Sequence, residues 1–168
     1  MKVRPYLIWM IFQLFALEAA AQKGPDSLKR YTKVATGYLV VLRQGDDVFE
    51  ELERLAIAEK IPAAHFNGLG FLNAKFGFFN AKTKQFRPRQ FSNLEMGSFT
   101  GSIAWQDGRP SLHVHGIGAD KNFRSYGGHL LEAQVSTGSL EILVTVLDRK
   151  LQRKKEEPLG ANVLQLEH

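Results

Sequence analysis

The stretch Ser111–Leu131, SLHVHGIGADKNFRSYGGHLL, holds three of the chain's five histidines and two runs of strand character joined by a polar connection. His113 and His115 flank Val114. Successive strand side chains point to opposite faces, so this spacing puts both imidazoles on one face of one strand. Beyond Asp120–Ser125, His129 follows Gly127 and Gly128, whose missing Cβ atoms let backbone or ligand come close. If the two segments pair as neighbours, three neutral nitrogens converge on one point. That is the ligand set of an open tetrahedral zinc site whose fourth position takes water. An HxH pair alone also fits ordinary packed or solvated histidines, and it is the third imidazole, from a separate segment, that points to a metal.

Upstream of this stretch, Asp107-Gly108 is a hairpin turn signal that leads straight into the HxH strand, so the pair is expected on a strand held by a neighbour. That neighbour is Phe91–Trp105, interrupted by Gly97 and Gly101. Lys82–Gln90 reads as a hairpin connection whose Lys82, Lys84, Arg87 and Arg89 could touch an anion or simply be wet. Ala63–Asn80 gives two extended segments with a bend or bulge around Gly68 and Gly70; Phe76, Phe78 and Phe79 are expected in the core, and His65 as a packed residue outside the metal set. Gly68-Leu69-Gly70 precedes more strand and no helix start, which excludes a phosphate-binding or dinucleotide fingerprint.

Asp46 and Asp47, with Glu50 three residues after Asp47, predict a capped helix running to about Lys60, burying Val48, Phe49, Leu52, Leu55 and Ala56. Ile61-Pro62 stops it. Tyr38–Leu42 and Ser139–Asp148 read as buried strands; Arg149–Glu157 is of mixed charge, and Pro158 opens a tail. One helix among many strands predicts a compact single α+β domain with a mostly antiparallel or mixed sheet.

At 168 residues the chain suffices for one sizeable core, and 44% hydrophobic with 23% charged residues excludes a disordered chain. A net charge of +5 with both signs interspersed does not by itself point to nucleic acid. Lys2 and Arg4, the apolar run Leu7–Leu17 and the small residues Ala19–Ala21 read as a signal peptide over 1–21, too short for a membrane span. The expected organisation is a signal peptide at 1–21, a leader at 22–30, a domain at 31–150 and a C-terminal tail at 151–168, the mature protein being periplasmic or secreted with no membrane span. Without cysteine there is no disulfide framework, so stability rests on the core, a metal or subunit contacts. His168, at the chain's end, is given no role.

Taken together, GYLVVLRQGDDVFEELERLA (37–56), FNGLGFLNAKFGFFN (66–80), LHVHGIGAD (112–120), GGHL (127–130) and LEILV (140–144) resemble the plants-and-prokaryotes-conserved (PPC) domain, covering Gly37–Asp148. The resemblance implies a homotrimer-forming α+β domain and, as in stand-alone prokaryotic members, a metal held by residues matching His113, His115 and His129. The AT-hook that accompanies the domain in plant nuclear proteins is missing: its nearest approximation, Asp107-Gly108-Arg109-Pro110, has an acid in place of an arginine and lies in a hairpin. With an export signal, this speaks against nucleic acid as partner, whatever DNA-binding label the family carries.

Three functions stay open at this level. One is a zinc centre, or one of another divalent transition metal, supporting hydrolysis or lyase chemistry, with Glu95, Glu132 or Glu141 as general acid or base. The second is a non-enzymatic trimeric module that recruits another protein. The third is DNA binding.

Overall fold

The computed structural model describes residues 28–166. The expected signal peptide, most of the leader and His168 lie outside them. The chain forms one domain, mostly β-sheet with one helix: β1 (Tyr31–Val34), β2 (Gly37–Arg43), α1 (Val48–Ala58), β3 (Ala63–Asn80), β4 (Gln85–Gln106), β5 (Arg109–Ala119), β6 (Ser125–Leu147), β7 (Gln152–Glu156) and β8 (Ala161–Gln165). The hydrogen-bonded order is β1-β2-β6-β3-β4-β7-β8, with β5 pairing both β4 and β6. Because β3 also bonds to β4 and to β6, the circuit β3-β4-β5-β6-β3 closes on itself. All of these pairings are antiparallel; only the single Trp105–Gln152 bridge of β4 to β7 is parallel.

Alternation drives the burial. Along β2, Tyr38, Val40 and Leu42 point inward, as do Leu140, Ile142 and Val144 of β6 and Val114 of β5. The helix packs Val48, Leu52, Leu55 and Ala56 into this core, with Phe49 at its margin. Asp47 caps it, its side chain accepting the Glu50 backbone N–H at 2.9 Å. At the other end, Glu59 accepts the hydroxyls of Tyr31 and Tyr38, each at 2.8 Å, which ties the helix to the β1–β2 hairpin. Phe66 and Phe99 stack at 5.5 Å in the centre; each contributes about 1.5–3 kcal/mol by its removal from water.

Several expectations change. Gly127–Leu130 and Ser139–Asp148 are not separate strands but parts of the 23-residue β6, whose polar middle still alternates with buried Ala133 and Val135. The segment 85–90 belongs to β4, paired against Lys75–Asn80, so the turn is confined to 81–84. Gly68 and Gly70 do mark a register shift, and a Cβ on Gly70 (φ 145°) would lie 2.2 Å from the Ser139 carbonyl. Of the three phenylalanines read as core, Phe76 is buried, Phe79 is half-buried and Phe78 is 80% exposed, because β3 projects past the core at its end.

The C-terminal stretch read as a tail folds back instead: β7 and β8 form a hairpin, the Trp105 N–H donates to the Leu151 carbonyl at 2.9 Å, and Leu151 packs against Ala63 and Ala104. Lys84 pairs with Glu157 at 2.8 Å across to the β3–β4 turn. No helix among the described residues is long and apolar enough to cross a membrane.

Candidate metal centre

The Asp107-Gly108 turn, with φ of 51° and 78°, places β5 against β4 and sets Ser102 opposite His113 and Thr100 opposite His115. With Val114 and Gly116 facing the core, His113 and His115 share the outer face of β5. The short connection held by Asp120, which accepts the backbone N–H groups of Asn122 and Arg124, returns the chain as β6 in a register that puts His129 directly opposite His115. The double glycine makes that register attainable. A Cβ on Gly127 would meet the Gly116 carbonyl at 2.6 Å, and Gly128 has a φ of 147°, a conformation that side chains resist.

The three rings form a near-equilateral triangle, with centroids 5.1, 5.2 and 5.2 Å apart, and one nitrogen of each lies within 4.8 Å of the other two. The Nε2 atoms of His113 and His115 approach to 3.2 Å. Two ligands of a tetrahedral zinc with bonds near 2.05 Å stand about 3.3 Å apart, so the pair needs almost no adjustment. Two converging lone pairs repel unless a proton or a cation lies between them. The donor set is three neutral nitrogens with no carboxylate, which suits zinc, copper, nickel or iron and not magnesium or calcium. These three histidines can hold a metal.

The surroundings of two of the rings, His129 and His113, disfavour their protonated forms. Desolvation first, then the charges of His113 and His115, lowers the His129 pKa to about 4. His113 is also held below the ordinary imidazole range, by desolvation and then by Arg153 and His115. Phe86 lies nearly parallel to His129, 4.7 Å between centroids and 15° between planes, fixing that ring from one side.

The triad opens into a cavity of about 1240 Å³. Its basic lining, beyond the histidines, is Arg87, Arg89 and Arg153; its walls are aromatic, Phe78, Phe86, Phe91 and Tyr126 among them. Among the described residues, no aspartate or glutamate lines it. Glu132 is exposed and paired with Lys75 at 2.6 Å, and Glu95 is exposed on β4. Glu141 points outward between Leu140 and Ile142. None of the three therefore stands beside the triad as a proton carrier. His65 is not packed but exposed, its Nε2 3.4 Å from the Thr100 hydroxyl, and it stays outside the metal group.

Arg87 and Arg89, read as either anion-binding or wet, do line the cavity, whereas Arg153 gave no signal, since QRKKE looks like a solvated charge run and only the β7 pairing turns one member inward. The stacking of Phe86 on His129 was equally hidden, because it depends on the length of β4.

Solved structures place this geometry among relatives. A candidate DNA-binding protein of Ralstonia eutropha JMP134 is 50% identical, covering 82% of this chain and 96% of its own, with a TM-score of 0.80. A metal-containing protein of Archaeoglobus fulgidus is 26% identical over 83% of this chain and 100% of its own, at a TM-score of 0.72. A plant- and prokaryote-conserved protein of Pyrococcus horikoshii shares the fold at 24% identity and a TM-score of 0.69, covering 84% of this chain and 99% of its own. No curated protein matches. The profile of the Plants and Prokaryotes Conserved (PCC) domain matches residues 29–148, which include every strand of the closed circuit and all three histidines, and the chain belongs to that family.

Proposed function

We propose that the protein is an exported, homotrimeric metal-binding domain that holds one zinc ion per subunit on His113, His115 and His129. The observation that carries this is the 3.2 Å approach of two Nε2 atoms, with a third imidazole opposite them across the β5–β6 pair. The metal-containing Archaeoglobus relative supports it. When bound, zinc supplies a Lewis acid and a water of lowered pKa. The chain's own residues orient the ion: β5 presents two ligands, β6 the third, and Phe86 holds the third ring in place. Because none of the described residues lining the cavity is a carboxylate, binding of a ligand near the ion is better supported than hydrolysis, which needs a group to carry protons.

The trimer has its own support in the outer sheet face, where Leu39, Leu69, Ile117 and Leu143 stand exposed at 38%, 61%, 55% and 40%. Export rests on the basic, apolar and small-residue order of residues 2–21. N-terminal sequencing of protein from the native host is expected to start near Gln22; an intact Met1 in the soluble cytoplasmic fraction refutes export. Elemental analysis of protein purified without a histidine tag is expected to find one zinc per chain, and equal metal in the wild type and the triple alanine variant places any metal elsewhere. The DNA-binding name of the Ralstonia relative predicts salt-steep affinity for duplex DNA. Here Arg87, Arg89 and Arg153 line a concave, aromatic-walled cavity, and no such affinity is expected.

A further inference from the structure

We propose that the cavity beside the histidines binds a small aromatic carboxylate, its carboxylate on the Arg153 guanidinium and its ring among the phenylalanines. The inference shares a cavity with the metal reading but is anchored on Arg153, not on the ion.

Arg153 is 5% exposed. One Nη donates to the Ser102 hydroxyl at 2.7 Å, while Nε is buried without a hydrogen-bond partner. Among the described residues it has no ion pair, and neither do Arg87 and Arg89; Arg89 instead lies over the Phe91 ring, 5.2 Å from its centroid. A guanidinium keeps its charge even when buried, and an uncompensated buried charge is costly. Two kinds of partner would answer that charge: a protein carboxylate, which the described lining residues lack, or an anion that comes from outside. The Ser102 that Arg153 bonds is the register partner of His113, and Arg153 and His113 line the same cavity, so an anion held by this guanidinium lies on the triad's side of it.

The rest of the lining says what the anion is attached to. Phe78 stands 80% exposed and Phe86 39% exposed, apolar surface lining the same cavity as Arg153. Inorganic phosphate would leave those rings wet. A planar ring bearing a carboxylate covers them and presents two parallel oxygens to the guanidinium fork, the geometry arginine favours.

Isothermal titration of the mature chain with benzoate, benzamide and inorganic phosphate, in zinc-loaded and chelator-treated forms, tests this. Benzoate is expected to bind, and its neutral isostere benzamide to bind at least about tenfold more weakly. Arg153→Gln is expected to lose at least about tenfold in benzoate affinity with its zinc content unchanged. Equal binding of benzoate and benzamide, or benzoate affinity that survives Arg153→Gln, overturns the proposal. Phosphate binding as tightly as benzoate overturns the aromatic half of it. Should Arg153→Gln not fold, Arg153→Lys keeps the charge without the planar fork, and an unweakened benzoate isotherm in that variant is equally fatal. Zinc content measured separately keeps the two readings apart: benzoate binding to a chain that takes up no zinc refutes the metal alone, and zinc without benzoate binding refutes this inference alone.

Discussion

At the scale of single residues, the metal triad makes the sharpest demands. Replacing His113, His115 or His129 by alanine removes a ligand outright, and zinc affinity is expected to fall by more than about 100-fold, beyond the effect of losing an outer-sphere partner. His65→Ala, outside the group, is expected to leave it unchanged; competition titration with a chromophoric chelator reads both. The pH behaviour follows from burial. A free imidazole titrates near about 6.5, whereas His129 in the fold titrates at about 4, so the native state binds fewer protons than the unfolded chain between those values. Its contribution to stability is complete above about pH 6.5 and is lost as pH falls toward about 4. Thermal melts of the metal-free protein are therefore expected to drop over that window, and His129→Asn to flatten the drop; an identical slope in the two proteins rules out His129 as its source. Proton competition at His129 likewise starts lower than the ordinary imidazole value that sequence alone suggests. The HxH spacing was legible because a strand's period of two fixes the face with no further information. Arg153 was not, since its inward turn depends on a pairing between segments far apart in the chain.

At the scale of elements, the helix was readable to its cap, because an N-cap is a local hydrogen bond between residues three apart. Asp47→Ala is expected to cost about 1 kcal/mol in chemical denaturation, and Leu52→Ala or Leu55→Ala about 2–5 kcal/mol, since both leucines are 1% exposed among core residues. Strand identity was readable too, but strand length was not. The polar middle of β6 and the basic start of β4 look like loops by composition, and they are strands because each finds a partner: Leu130–Val135 against β3, and Gln85–Gln90 against its far end. The double glycine matters for the same reason. Gly128→Ala would put a side chain where φ is 147°, disturbing the register that sets His129 opposite His115. Both stability and zinc affinity are expected to fall, and an alanine variant with wild-type zinc affinity counts against that role.

For the whole molecule, the outer face of the sheet carries Leu39, Leu69, Ile117 and Leu143, which stay exposed among the described residues. Light scattering at micromolar concentration is expected to report a trimer, and Leu39→Glu combined with Leu143→Glu, adjacent across the β2–β6 pair, to yield monomers; a monomeric wild type refutes the assembly. The two neighbours of β5 were legible, from the Asp107-Gly108 turn and from the convergence of the histidines, but the closure through β3 was not, because it depends on β3 pairing with both β4 and β6. The hairpin β7–β8 has a separate consequence. It lies beyond the stretch matched by the family profile, yet it supplies Arg153 and the cavity residues Gly160, Ala161 and Asn162. On the two proposals above, every metal ligand and the aromatic walls belong to the matched stretch, while the arginine that would hold the carboxylate comes from beyond it. Substitution in that last segment would then change what the cavity accepts without touching a histidine, so the two proposed properties can vary independently.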